Sequence, residues 1–407
     1  MMASSSMVRG GLGSASEPVP AAPSKVIPVQ WWAALGAVIT ALMAYVIIRW
    51  ITGPYFERVQ PGPTPLPGWM KVSLVAWQII MPMLWLFMLW RFVIKPWRQE
   101  KRIGVDGLFL LAGTTMCFQD GMSNWSTQWI TYNTWLVNFG SWYNDVPGWM
   151  AFGEPGKMVL EPPLFIPFAH GFAWLAFAMI GRKVINAVRA RRPGTGYPAL
   201  LAITFVVTFM LDVLLEGLIW MPFGVYTYIG GHWPLLFPDA YHMFPMNEAL
   251  FIATWSTLVV FLYTFRNDKG QTYVERGIDQ VRGGPVKKAG LQLLAMIAVF
   301  QLGLLMLYTV PEIAFFTSKP NEWPKDAQRR SYLVDNICGP GAAWACPGPK
   351  VPLNRGNARD QSGARIAAGT TSGNGVTIPG GGKIPDAVPF AKDAEGPFSG
   401  PIIRIGG

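Results

Sequence analysis

Two carboxylates lie inside an apolar stretch that is long enough to cross a lipid bilayer. The run from Leu201 to Trp220 consists mainly of Phe, Val, Met, Leu and Ile, and it contains Asp212 and Glu216 four residues apart. A charged side chain at that depth costs about 2.5 kcal/mol or more, so it normally faces a protein interior or a water-filled cavity. The pair therefore predicts a helical bundle that encloses polar groups, and it marks a candidate functional site.

The composition agrees with a membrane protein. Charged residues make up 14% of the chain and hydrophobic residues 51%, whereas soluble domains contain about 25% charged residues. Windows of about 20 apolar residues predict an all-α, polytopic transmembrane bundle of about seven spans. The predicted spans are 29–51, 71–94, 105–124, 163–181, 198–221, 244–265 and 289–310. The third is the least apolar, since two threonines, a glutamine and Asp120 occupy its second half.

Basic residues in the short loops indicate how the bundle is oriented. Lys and Arg concentrate in the loops after the second, fourth and sixth spans, while 222–243 has none and 125–162 has only Lys157. We therefore expect a multi-pass protein of the cell membrane with a cytoplasmic N-terminus and an extracytoplasmic C-terminus. This bias explains much of the net charge of +10, so the charge is not interpreted as a nucleic-acid-binding surface.

The chain is expected to consist of one bundle and two tails. Residues 1–28 are rich in Ser, Gly, Ala and Pro, and residues 316–407 are rich in Gly and Pro, which predicts disordered tails on either side of a bundle at 29–315. The first apolar run starts too late and is too long for a cleaved signal peptide. Cys338 and Cys346 lie in the tail expected outside the cell, where they could form a small disulfide loop or stay unpaired.

On this topology the polar groups of the spans gather in the outer half of the bundle. The inner halves of the same spans are nearly free of ionisable groups, so the sequence predicts a polar cavity near the outer surface. The candidate catalytic residues of this cavity are Asp212, Glu216, Asp120, His170 and Glu248. The candidate substrate-binding residues are Trp220, Tyr226, Asn247, Trp174 and Asn124.

Asp212 and Glu216 share a helical face because they are four residues apart. Two carboxyl groups in a desolvated pocket are expected to share a proton, which gives one acid and one base. The alternative is purely structural: the acids hydrogen-bond to neighbouring helices, His170 bonds a backbone carbonyl, and Glu248 complements a helix dipole. The aromatic-rich stretch 125–152 is interpreted as an interfacial anchor or, alternatively, as a lid over the cavity.

Several kinds of site are absent from the sequence. It has no phosphate-binding Gly-rich loop, Cys-x-x-Cys pair, Gly-x-Ser-x-Gly elbow or His-Glu-x-x-His motif. With only three His, no His-rich metal cluster can form. A mixed site of His170, His242 and carboxylates stays open, although no two His share ligand spacing on one helix, and we expect no metal and no cofactor. Two other classes stay open: a non-enzymatic binding or transport protein for a hydrophobic molecule, and a metal-dependent lipid hydrolase.

Four short blocks of sequence resemble a known family. They are Phe-Gln-Asp-Gly-Met-Ser-Asn-Trp at 118–125, Glu-Pro-Pro-Leu-Phe-Ile-Pro-Phe-Ala-His-Gly at 161–171, Leu-Asp-Val-Leu-Leu-Glu-Gly-Leu-Ile-Trp at 211–220 and Phe-Pro-Met-Asn-Glu-Ala-Leu-Phe at 244–251. Over about residues 29–315 the chain resembles the AveC-type spirocyclases, a family of actinobacterial membrane proteins. The resemblance implies an enzyme of secondary metabolism that closes a dihydroxy-ketone polyketide into a spiroketal. The resemblance does not itself identify catalytic residues in this chain.

The acid pair suits such a reaction. Spiroketal formation needs a proton for a carbonyl or hemiketal hydroxyl, loss of water, and stabilisation of an oxocarbenium ion, none of which requires a metal or redox cofactor. We therefore expect acid-catalysed cyclisation or dehydration of a lipophilic hydroxy-ketone. Glu216 is the expected acid and Asp212 its electrostatic partner; the expected orienting or relay groups are Asp120, His170 and Glu248. The expected partners are this small molecule and membrane lipid.

Overall fold

The computed structural model describes residues 27–334 except 55, 63, 124–128, 148–159, 229–233 and 317–323, together with residues 403–404. The helices are α1 (Pro28–Thr52), α2 (Gly68–Glu100), α3 (Val105–Thr115), α4 (Phe118–Ser123), α5 (Ile166–Arg191), α6 (Tyr197–Trp220), α7 (Met246–Thr264), α8 (Pro285–Phe315), α9 (Lys325–Gln328) and α10 (Ser331–Val334). Among these residues, six helices are long and apolar enough to cross a membrane, namely α1, α2, α5, α6, α7 and α8. The all-α membrane bundle predicted from the sequence is therefore confirmed.

The third predicted span is built differently from the others. It is divided between α3 and α4, which are only 11 and 6 residues long. The hydroxyls of Thr114 and Thr115 donate to carbonyl oxygens of their own helix, Leu110 O and Ala112 O, at 2.8 and 2.7 Å, and α3 ends there. Because α3 packs against α5 and α8 and Phe109 is fully buried, protein surrounds this segment and lipid does not. It can therefore carry polar residues that a lipid-facing span could not.

Successive long segments run in alternate directions through the bundle. The Tyr263 hydroxyl near the end of α7 donates to Asp106 at the start of α3 over 2.6 Å. At the same end, the backbone N–H of Val29 in α1 donates to the carbonyl oxygen of Arg276 over 3.2 Å. The three Lys- and Arg-rich loops meet here, and we call this the basic end of the bundle, defined by residues 95–104, 182–196 and 265–288.

The opposite end is covered by a layer of loops and short strands. Its strands are β1 (Ile130–Tyr132), β2 (Tyr226–Tyr228), β3 (Leu235–Leu236), β4 (Phe244–Pro245) and β5 (Ile403–Arg404). β1 pairs antiparallel with β2, with Thr131 opposite Thr227, and β3 pairs antiparallel with β4 and β5. We call this layer the cap, defined by residues 56–62, 64–66, 129–147, 221–228, 234–245, 324–334 and 403–404.

The cap is tied together across large sequence distances. The backbone N–H of Thr134 donates to Tyr332 O, and that of Thr64 donates to the Ser331 hydroxyl, both at 2.9 Å. Trp129 is fully buried whereas Trp135 is 38% exposed, so this stretch of the chain covers the bundle and also presents aromatic surface outward. Apart from 27–28, 316, 324–334 and 403–404, the predicted tails, including both of their cysteines, lie outside the described residues.

Candidate active site

A cavity lies inside the bundle beneath the cap. It contains about 710 Å³ of space free of protein atoms, including its open mouth. Seven candidate residues line it: Asp120, His170, Trp174, Asp212, Glu216, Trp220 and Tyr226. The structure thus brings together residues from α4, α5, α6 and β2. Of the other candidates, Glu248 belongs to the same carboxylate cluster, whereas Asn124 lies outside the described residues.

Three carboxyl groups form the polar centre of this site. Oxygen atoms of Asp212, Glu216 and Glu248 all lie within 4.8 Å of one another. Asp212 is 2% and Glu248 0% exposed, so neither can be solvated by bulk water. Asp212 and Glu248 lie within hydrogen-bonding reach of each other, and two carboxyl groups can form such a bond only if one carries a proton. Asp212 Oδ2 and both Glu248 oxygens have no other partner among the described residues.

The backbone that carries Glu216 is not a regular α-helix. The regular part of α6 ends at Asp212, and a π-helical segment follows at Val213–Trp220. The N–H of Met221 bonds the Glu216 carbonyl oxygen, five residues earlier, over 3.1 Å. Such π segments often occur at functional sites because they re-aim side chains within a helix. The four-residue spacing therefore predicted correctly that the two acids lie together. It did not predict the π-helical backbone that carries Glu216.

Two tyrosines of the cap complete the surroundings of Glu216. The Tyr228 hydroxyl donates to Glu216 Oε2 over 2.8 Å, and the Tyr226 hydroxyl also hydrogen-bonds this carboxyl group. Burial, followed by the negative potential of Glu216, raises the pKa of both phenols. The phenols therefore stay protonated and act as hydrogen-bond donors. β2 thus positions two donors above the acid.

A second polar chain lines the cavity. Trp174 Nε1 donates to His170 Nδ1 over 3.2 Å, and His170 Nε2 lies 3.2 Å from Asp120 Oδ2. The Tyr132 hydroxyl donates to the same Asp120 oxygen over 3.2 Å; burial, then the charge of Asp120, raises the pKa of this phenol. Because an indole N–H can only donate, Nδ1 of His170 must be unprotonated, which places the histidine proton on Nε2, facing Asp120.

The carboxylate cluster raises the question of charge balance. Among the described residues, no lysine or arginine lines the cavity, so buried negative charge must be neutralised by shared protons or by a bound cation. Asp212, Glu216 and Glu248 are the residues that could hold one, since carboxylate oxygens are the ligands that Mg²⁺ and Ca²⁺ prefer. A mixed site with both His170 and His242 is not formed, because His242 does not line the cavity. Burial, then Arg330, lowers the pKa of His242 to about 3.

The structure places one of the candidate residues outside the cavity lining, and sequence reasoning missed several residues that do line it. Asn247 does not line the cavity; its Nδ2 donates to Glu312 Oε2 over 3.2 Å, and Glu312 is a further fully buried acid. Tyr132 reaches the cavity because β1 pairs with β2, nearly a hundred residues away, and no local pattern predicts that pairing. Tyr308 and Gln119 also line it, and both resemble ordinary span residues in the sequence.

Comparison with known proteins gives one match. The family model described as spirocyclase AveC-like matches residues 100–333, which is more than half of the chain. No curated protein and no solved structure matches. Every residue that lines the cavity lies inside the matched range, whereas α1 and most of α2 lie outside it. The chain is therefore a membrane protein that belongs to the spirocyclase AveC-like family.

Proposed function

We propose that the protein is an enzyme of the cell membrane that catalyses acid-promoted cyclisation and dehydration of a lipophilic hydroxy-ketone. The observation that carries the proposal is the buried cluster of Asp212, Glu216 and Glu248, which shares a cavity with aromatic walls and phenol donors. Carboxyl groups whose oxygens lie within 4.8 Å of one another cannot all be ionised without a counter-ion, so protonated and ionised members coexist. Such a pair can deliver and accept protons in one reaction.

Glu216 is the proposed acid because it is the least buried of the three and lines the cavity directly. Tyr228 donates to its Oε2, and the carboxyl group supplies the proton for the substrate. When this proton passes to a carbonyl or hemiketal oxygen, negative charge develops on Glu216. The bonds from Tyr226 and Tyr228 then strengthen, as preorganised donors do in a site shielded from water.

The reaction balances without an external oxidant or reductant. Protonation of the hemiketal hydroxyl by Glu216 lets the C–O bond break and water leave, which gives an oxocarbenium ion. Ionised Asp212 and the aromatic walls, such as Trp220, stabilise this cation. The second hydroxyl of the substrate attacks the cationic carbon, and its proton returns to the carboxylate cluster. The products are one spiroketal and one water molecule, and the acid is restored.

The second polar chain adds a further set of polar groups to the cavity. Asp120 accepts from Tyr132 and faces the Nε2 proton of His170. A substrate in the cavity would therefore meet both the carboxylate cluster and the Asp120 and His170 pair. We assign Asp120 and His170 to orienting the substrate hydroxyls and relaying their protons.

The direct test is conversion by the purified protein in detergent. Open-chain dihydroxy-ketones with long alkyl chains should be converted to cyclised products that are lighter by one water molecule, as measured by liquid chromatography and mass spectrometry. A carrier would instead bind these molecules saturably and release them unchanged. Saturable binding with no cyclised product across a series of ketone chain lengths would contradict the enzyme.

A further inference from the structure

Tyr308 differs from the other tyrosines of the cavity in its hydrogen bonding. Among the described residues, four tyrosines line the cavity: Tyr132, Tyr226, Tyr228 and Tyr308. The first three use their hydroxyls on the carboxyl groups of Asp120 or Glu216. The Tyr308 hydroxyl makes no hydrogen bond to any residue that the structure describes. Phenylalanine would serve packing equally well at this position, so the hydroxyl group of Tyr308 needs another explanation.

The Tyr308 hydroxyl is also open to the cavity. The residue is 9% exposed, and the unpartnered polar atoms that are fully buried, such as Asp212 Oδ2 and Trp220 Nε1, do not include its hydroxyl oxygen. It lies within electrostatic range of Glu216 and Asp120, so the carboxylate cluster and the second polar chain are both close to it. A ligand in the cavity can therefore reach this hydroxyl.

The backbone and its neighbours fix the position of Tyr308. It is carried by Leu305–Thr309, a π-helical segment within α8, and such segments are frequent at functional sites. The adjacent Thr309 hydroxyl donates to Gln119 Oε1 over 2.6 Å, which ties this segment to α4. The centroid of the Tyr308 ring lies 6.2 Å from that of the fully buried Trp129. The phenol is therefore held in place before a ligand binds.

The other neutral donors in the cavity lining are already occupied. Trp174 Nε1 donates to His170, whose own N–H faces a carboxylate. The Gln119 amide nitrogen donates to Gln301 O and Oε1 over 2.6 and 2.9 Å. The Ser123 hydroxyl donates to Gln119 O over 2.9 Å. Among the described residues, none of these groups is left to donate to a ligand.

This balance of donors and acceptors selects the ligand atom that Tyr308 binds. A hydroxyl group of the substrate can donate to the carboxylates of the cavity, so it does not need a donor from the protein. A ketone carbonyl oxygen can only accept, and it therefore needs one. Among the described residues, the lining offers it two donors: the Tyr308 phenol, which is protonated at neutral pH, and the O–H of Glu216. A carbonyl oxygen has two lone pairs and can accept from both.

We propose that Tyr308 is a catalytic residue that binds the ketone carbonyl oxygen of the substrate. This role rests on the proposed function, which supplies the hydroxy-ketone and makes Glu216 the acid. When the first substrate hydroxyl adds to the carbonyl carbon, its proton passes to an ionised member of the carboxylate cluster, and the carbonyl oxygen takes a proton from Glu216. Tyr308 keeps its own proton and stabilises the negative charge that develops on this oxygen. The product is the hemiketal that the dehydration step consumes.

The test is infrared spectroscopy of a bound ketone that cannot cyclise. A long-chain dialkyl ketone with a ¹³C carbonyl and no hydroxyl group is added to the full chain in detergent, and the spectrum with the ¹²C ketone is subtracted. In the wild type the bound carbonyl band should lie at lower frequency than in detergent alone, because an accepted hydrogen bond weakens the C=O bond. In Tyr308→Phe the band should move back to higher frequency, and the ketone should bind roughly three- to tenfold more weakly.

Tyr197→Phe is the matched control. Tyr197 is 59% exposed at the start of α6, at the basic end, so the loss of its hydroxyl should change neither the band nor the affinity. Because the Tyr308 hydroxyl has no partner among the described residues, Tyr308→Phe should keep the wild-type midpoint of thermal unfolding. A lowered midpoint would mean that this hydroxyl bonds the protein, and would contradict the proposal.

The outcomes separate this proposal from the proposed function, because the ketone probe binds without turnover. If the band shift is lost in Tyr308→Phe but no hydroxy-ketone is ever cyclised, the binding role of Tyr308 is supported and the enzyme is not. If the wild type cyclises hydroxy-ketones, Tyr308→Phe should lower turnover about 10²-fold, as the loss of one oxyanion donor does. Normal turnover in this variant with an unchanged carbonyl band, or the absence of a shifted band in the wild type, would show that the role given to Tyr308 is wrong.

Discussion

Trp174 donates its indole N–H to Nδ1 of His170 over 3.2 Å, and this contact determines which nitrogen of the histidine carries its proton. The Nε2 proton then faces Asp120. Trp174 was expected to contact substrate, and it does line the cavity, but its indole nitrogen acts through His170.

Trp174→Phe should remove the tautomer preference of His170. The chain contains only three His, so ¹⁵N-histidine labelling gives a spectrum simple enough to assign with His170→Gln. The wild type should show an unprotonated Nδ1 and a protonated Nε2 for His170, because the indole can only donate. In the variant the proton should be distributed over both nitrogens. An unchanged His170 spectrum in Trp174→Phe would show that Asp120 alone sets the tautomer.

Asp212→Asn and Glu216→Gln should each reduce turnover at least 100-fold, because the amides keep the size and some hydrogen bonds of the acids but cannot transfer the proton. General acid catalysis commonly contributes about 10²- to 10⁴-fold. Asp106→Asn is the matched control: Asp106 also accepts from a tyrosine, Tyr263, but at the basic end. It should leave turnover unchanged. Near-normal turnover in Asp212→Asn or Glu216→Gln, at equal amounts of folded protein, would reduce that acid to a packing role.

Tyr228→Phe should lower turnover by roughly 10-fold to 100-fold, since a hydrogen bond to a charged group contributes about 1.5 to 3 kcal/mol. The loss should largely disappear when Tyr228→Phe is added to Glu216→Gln, because the phenol acts through that carboxyl group. Tyr263→Phe removes an equivalent phenol from Asp106 and should have little effect. Additive losses in the double variant would mean that Tyr228 contacts the substrate independently of Glu216.

The sequence predicted those parts of the molecule that follow from composition and local spacing. Hydropathy located the long helices, and the cost of burying charge identified Asp212 and Glu216 before any geometry was known. The cap could not be predicted, because the pairing of Tyr132 with Tyr226 depends on contacts between distant segments. The π-helical turn at Glu216 has no sequence signature either. The hydrogen bonds from Tyr226 and Tyr228 to Glu216 could therefore not be predicted.

The carboxylate cluster should be neutralised by protons and not by a metal ion. Protein purified without chelator should contain less than about 0.1 metal ion per chain by elemental analysis, and ethylenediaminetetraacetate should leave ketone conversion unchanged. Shared protons suffice because Asp212 and Glu248 are close enough to hydrogen-bond to each other. One equivalent of a divalent cation in the wild type that is lost in Glu248→Gln would show that these oxygens are ligands, and would replace acid catalysis by metal-assisted chemistry.

The two ends of the bundle should lie on opposite sides of the membrane. α1 starts at the basic end, next to Arg276, whereas Glu312 near the end of α8 bonds Asn247 beneath the cap. This arrangement requires α3 and α4 to carry the chain across, although the 11 residues of α3 rise only about 16 Å in a hydrocarbon core of about 30 Å. We expect α4 and the buried strands of the cap to complete the crossing inside protein.

Reporter fusions test whether the two ends of the bundle lie on opposite sides of the membrane. A reporter fused after Lys25 should be cytoplasmic, because the basic loops favour the inside, and one fused after Lys319 should be extracytoplasmic. A fusion after Arg192, at the basic end, is the internal control and should match the Lys25 fusion. If the Lys25 and Lys319 fusions report the same side, the chain crosses the membrane an even number of times, and the prediction that α3 and α4 form a crossing is wrong.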